Sequence, residues 1–129
     1  MNAKVILVID EYIDRRERTK NILTENGYIA LTAENAEQAE ALCDTTAAID
    51  LIVTSVVMTG DSGIHLAEHV EASDRHISTL LISRFSRDLL GMVHGFSGQP
   101  EFLANPFTAE ELLTRVRGLL EEHSNWTDT

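Results

Sequence analysis

Five short apolar runs, each trailed by a stretch with helical spacing, constrain this chain more than any other feature. Lys4-Val-Ile-Leu-Val-Ile9 is a continuous β-branched run, the pattern of a strand buried on both faces. Tyr28–Leu31, Leu51–Thr54, Thr79–Ile82 and Glu101–Ala104 read as four further strands. Between them, Asp14–Asn26 has helical spacing at Thr19, Ile22 and Leu23, with Gly27 placed as its C-cap. Asn35 can cap a helix through Asp44 with Ala36, Ala39, Leu42 and Cys43 inward. Ser62–Ala72 and Ser86–His94 are the third and fourth helices, the latter weakened by Gly91. Thr108, with Glu111 three residues on, is a capping box for a last helix whose stripe is Leu112, Leu113, Val116, Leu119 and Leu120.

A strand–helix repeat of this length implies an α/β domain with a five-stranded parallel sheet, doubly wound as (βα)5. In such sheets the working crevice lies at the carboxyl ends of the strands. The residues just after each run are therefore the candidates: Asp10 and Glu11, Ser55, Ser83, and Asn105-Pro106.

Those four points resemble the receiver domain of two-component response regulators over about Lys4 to Leu120. Asp10-Glu11 matches the family's acidic pair after the first strand. Asp50-Leu-Ile-Val-Thr-Ser55-Val-Val-Met58-Thr-Gly60-Asp-Ser-Gly63 matches the acceptor segment, usually D-L-x-x-x-D-x-x-M-P-G-x-x-G. Leu80-Leu-Ile-Ser83 matches the strand that ends in Ser or Thr. Ser97-Gly98-Gln-Pro-Glu-Phe102-Leu-Ala-Asn105-Pro106-Phe107 matches the stretch usually written A-G-A-x-x-[YF]-x-x-K-P-F. The resemblance implies the flavodoxin-like strand order 2-1-3-4-5. It also implies residues 1–123 as one receiver-like domain, with the polar 124–129 a frayed tail or the start of a linker.

Two departures carry chemistry. The family places its phosphate-accepting aspartate where Ser55 stands, and its conserved lysine where Asn105 stands; Thr59 also replaces a proline. A carboxylate is ionised at pH 7, whereas a serine hydroxyl needs a base, and the surrounding segment is not a G-x-S-x-G elbow. A phosphoserine would also be a stable ester, unlike the labile acyl phosphate of the family's switch. Asn105 can donate hydrogen bonds but cannot offset a phosphoryl dianion, so the local cation is expected to be lost. Asn105-Pro106 can still be a cis peptide. Ser83 and Phe102 stand where the family's switch residues stand, and with no phosphoryl group ordinary sheet-end packing is expected of both. Asp10 and Glu11 fit either a solvated acidic pair or weak Mg²⁺ ligands, since Ser55 removes the third carboxylate of the family's metal site.

The expected function follows: a signalling module of the receiver type, not an enzyme, that needs no cofactor and works as a phosphorylation-independent interaction domain. Two other readings compete with it. One is an active receiver using another acceptor, Asp61 or Asp10. The other is a small-ligand-binding flavodoxin-like domain, disfavoured because Asp10-Glu11-Tyr12 would repel phosphate in the first loop. A protein partner is expected on the face made by Arg84–Phe96 and Phe102–Leu120, which could equally serve a homodimer. The formal net charge of −11 disfavours direct contact with nucleic acid or anionic membrane. The single cysteine, Cys43, and the lack of a secretory signal pattern point to the cytoplasm. His65 and His69, at i and i+4, lack further ligands and are expected on a solvated helix face.

Overall fold

The computed structural model describes residues 3–45, 49–55, 77–83 and 101–127, with side chains to residue 121. The expected helices at 62–72 and 86–94, the His65/His69 pair, Asp61 and the 84–96 surface lie outside the described residues. Five strands, β1 (Val5–Ile9), β2 (Ile29–Ala33), β3 (Leu51–Ser55), β4 (Ser78–Ser83) and β5 (Glu101–Ala104), pair in parallel in the order β2-β1-β3-β4-β5. The described helices are α1 (Ile13–Glu25), α2 (Ala36–Thr45) and α3 (Ala109–Thr127).

Side chains alternate across a strand, so each run feeds two cores. Ile6, Val8, Leu51, Val53, Leu80 and Leu103 meet Leu23 of α1 and Leu112, Val116, Leu119 and Leu120 of α3. Leu7, Ile9 and Ile52 point the other way, onto Ala36, Ala39 and Cys43 of α2. This is why β3 is buried at every position and β1 at all but Val5, while the flanking strand β2 is only partly buried. Each fully buried Leu, Ile or Val contributes roughly 1.5–3 kcal/mol from burial alone.

Local signals behave as their chemistry requires. The capping box closes in both directions: Glu111 N–H donates to Thr108 Oγ1 at 3.1 Å, and Thr108 N–H to Glu111 Oε1 at 2.9 Å. Asn35 Oδ1 accepts from Gln38 N–H at 2.9 Å, capping α2. Gly27 adopts a left-handed φ of +90° just past α1.

Several boundaries differ from the sequence-based expectation. The cap of α1 is Asn26, one residue before Gly27, and the helix starts at Ile13. β3 and β4 each reach further than expected, so Ser55 and Ser83 are the last residues of their strands, not loop residues. Parallel pairing extends to them because Ser55 pairs with Ile82 and Ser83 with Ala104. α3 continues to Thr127, so the helix takes in 124–127 of the stretch expected as a frayed tail or the start of a linker. A helix satisfies its backbone internally and can run past its last core residue, here Leu120.

At the opposite edge of the sheet, Asp50 stitches β3 to β1. Its backbone N–H donates to Val5 O at 2.8 Å, and its carboxylate accepts from Val5 N–H at 2.8 Å. Asp50→Ala is expected to cost about 1–3 kcal/mol in urea unfolding, since a half-buried N–H loses a charged acceptor. Thr79 is the counter-case: among the described residues its buried hydroxyl has no hydrogen-bond partner. Thr79→Val should raise stability by about 1 kcal/mol, measured the same way, because it removes an unsatisfied polar group at nearly constant shape.

Candidate functional site

Strand register places the candidate residues side by side along the carboxyl edge. Ile9 pairs with Thr54, so Asp10 follows beside Ser55. Ser55 pairs with Ile82, the residue before Ser83. Ser83 pairs with Ala104, and its carbonyl accepts from Asn105 N–H at 3.1 Å. Neighbouring strands lie about 4.8 Å apart, so Asp10, Ser55, Ser83 and Asn105 line one crevice although scattered in sequence. Asp10, Ser55 and Ser83 are buried, and Asn105 is half-buried.

Alternation splits this row into two faces. Ser55 shares the face of Leu51 and Val53, the side covered by α1 and α3. Asn105 lies just past the end of β5, in the bend before Pro106. Ser83 and Phe102 fall on the opposite parity, and Phe102 pairs with Leu81, two residues before Ser83. The Asn105–Pro106 peptide bond is cis.

Asp10 is neither a solvated carboxylate nor a lone one. Its side chain is 13% exposed and Oδ1 accepts from the Arg15 guanidinium at 3.0 Å. The same oxygen accepts from Tyr12 N–H at 2.9 Å, an Asx turn that opens α1 in place of a side-chain cap at Tyr12. Arg16 Nη1 donates to the Asp10 carbonyl at 2.8 Å. Arg15 is steadied by the Tyr12 ring, whose centroid lies 4.4 Å from the guanidinium carbon. The crevice therefore has a cation at its acidic end: Arg15 approaches Asp10 from α1. Glu11, the second carboxylate of the pair, is half-buried. Among the described residues no group of three or more His, Cys, Asp or Glu side chains is placed to hold a metal ion.

The family model of the response regulator receiver domain matches residues 6–117, nearly the whole chain. The chain belongs to the response regulator receiver family. Among curated relatives it is 30% identical over 124 residues to the transcriptional regulatory protein CpxR of Klebsiella pneumoniae, covering 95% of this chain and 51% of that protein. The chain thus spans about half the length of the curated relatives it matches. A response regulator receiver protein from Pseudomonas putida superposes with a TM-score of 0.79 at 26% identity, over 92% of this chain and 98% of that one. The chemotaxis protein CheY4 of Vibrio cholerae gives a TM-score of 0.83 at 21% identity, over 92% and 99%, a likeness of fold. Among the described residues of this receiver, no helix is long and apolar enough to cross a membrane.

Sequence reasoning overlooked the arginines of α1. Arg15, Arg16 and Arg18 occupy its first two turns, where the helix dipole disfavours cations. That conflict was the available signal: cations there need local acceptors. Arg18 finds one across the crevice rim, donating to Phe107 O at 2.8 Å with its guanidinium carbon 4.9 Å from the Phe107 ring centroid. It ties α1 to the segment following Asn105-Pro106. Arg18→Ala should cost about 1 kcal/mol in urea unfolding, and Arg18→Lys less, since lysine keeps the charge but loses the planar stacking.

Proposed function

We propose that this receiver domain is a signalling module that works through protein contact without aspartyl phosphorylation. One observation carries the reading: a buried serine stands at the end of β3, beside Asp10, where the family has its acceptor aspartate. A serine hydroxyl is un-ionised at pH 7, and any ester it formed would lack the lability of an acyl phosphate. Asn105 adds to this, because a neutral amide cannot balance phosphoryl charge as the family's lysine does. The retained frame supports a retained role in binding. In this reading the domain holds one conformation, or is shifted by a partner with differential affinity for two.

The partner would be another signalling protein, or an output domain joined to the receiver as the greater length of its curated relatives suggests. The contact face would include β5 and α3. β5 is an edge of the described sheet, and Arg115 on α3 pairs with Glu101 of β5 at 2.9 Å, holding that surface as one unit. With a net charge of −11, the domain itself would not grip DNA.

Incubation with acetyl phosphate and Mg²⁺, followed by mass spectrometry with and without hydroxylamine, tests the reading. The wild-type chain is expected to carry no hydroxylamine-sensitive phosphate, while the double variant Ser55→Asp, Asn105→Lys acquires it. A labile adduct on any aspartate of the wild type would overturn the proposal.

A further inference from the structure

The receiver family's use of a divalent cation at this edge raises the question of what balances the carboxylate charge here. The donor set of this chain does not suit Mg²⁺. That ion demands near-octahedral oxygen ligands and is usually held by one or two carboxylates together with waters and phosphate. Of the carboxylates at the crevice, Asp10 already has Oδ1 committed twice, to Tyr12 N–H at 2.9 Å and to Arg15 at 3.0 Å. The position beside it is a serine hydroxyl, which brings no charge. A divalent ion bound to Asp10 would sit within a few ångströms of the Arg15 guanidinium, and two like charges at that distance repel strongly in a partly desolvated site.

We propose that Arg15 is a built-in counter-ion to Asp10 that occupies the place a divalent cation would take at that carboxylate. Three contacts support a permanent assignment. The guanidinium reaches Asp10 through a charge-assisted hydrogen bond. Its far side rests on Tyr12, whose own N–H is held by the same carboxylate oxygen. The adjacent Arg16 donates to the Asp10 carbonyl, fixing the turn that carries both arginines. The cation, although partly exposed, is thus held by contacts within the first loop and the first turn of α1. The inference deepens the phosphorylation-independent reading, because it rests on Ser55 leaving the crevice one carboxylate short.

Mg²⁺ titration of the whole chain, followed by the amide resonances of Asp10 to Tyr12 and of Ser55, reads the competition directly. No phosphodonor is present, so its outcome is separate from the phosphorylation test. Arg15→Gln is expected to bind Mg²⁺ about three- to fivefold more tightly than wild type. The gain is limited because Arg15 is 43% exposed and its pairing is partly screened. The thermal midpoint of Arg15→Gln should rise more with added Mg²⁺ than that of the wild type. Adding Asp10→Asn to Arg15→Gln should abolish the gain. Arg15→Lys, the substitute if Arg15→Gln does not fold, should fall between the two, since an ammonium keeps the charge but not the fork. Equal affinity in wild type and Arg15→Gln would overturn the proposal, as would a gain that survives Asp10→Asn.

Discussion

Parallel pairing of β1 with both β2 and β3 is the constraint on which the rest of the structure depends. Parallel strands all run the same way, so their carboxyl ends fall on one edge. Their return connections must cross over a face of the sheet. Both faces are therefore covered, and the middles of the central strands must be apolar on both sides. Ile6, Leu7, Val8 and Ile9 meet that demand, two feeding each core. The same directionality makes the crevice: Asp10, Ser55, Ser83 and Asn105 are neighbours only because their strands end together.

The two edges of the sheet use aspartate differently. At the amino edge, Asp50 accepts from Val5 N–H and joins β3 to β1. This is a structural use of a carboxylate that backbone donors satisfy. At the carboxyl edge, Asp10 binds the first turn of α1 through Tyr12 N–H and Arg15. The second arrangement holds a charged pair at the carboxyl edge of the sheet. Arg18, on the same helix, reaches the loop after the cis Asn105–Pro106 bond. α1 thereby braces both ends of the crevice with guanidinium groups.

Much of this was legible in the residues. The five runs, the capping box at Thr108 and Glu111, and the left-handed Gly27 follow from periodicity and local chemistry, and the strand order from the family resemblance. The candidate row was legible from the rule that parallel sheets work at their carboxyl ends. The strand ends were read too short at Ser55 and Ser83, because a polar residue looks like a loop until its neighbour strand extends to pair with it. The helical reach of α3 past Leu120 was missed for a related reason, since apolar periodicity stops where the core stops while backbone hydrogen bonding does not.

The sequence alone determined the strand–helix pattern and which residues, Ser55 and Asn105 among them, stand at the strand ends, since both are matters of pattern and residue identity. It could not determine the electrostatics of the crevice. Asn105 suggested a site without a cation, yet the folded chain supplies one from Arg15. Nothing in linear spacing says which of several arginines on a helix will face a given carboxylate. That depends on the turn between β1 and α1, on the Tyr12 ring beneath the guanidinium, and on the burial of Asp10, and only the tertiary structure brings these together.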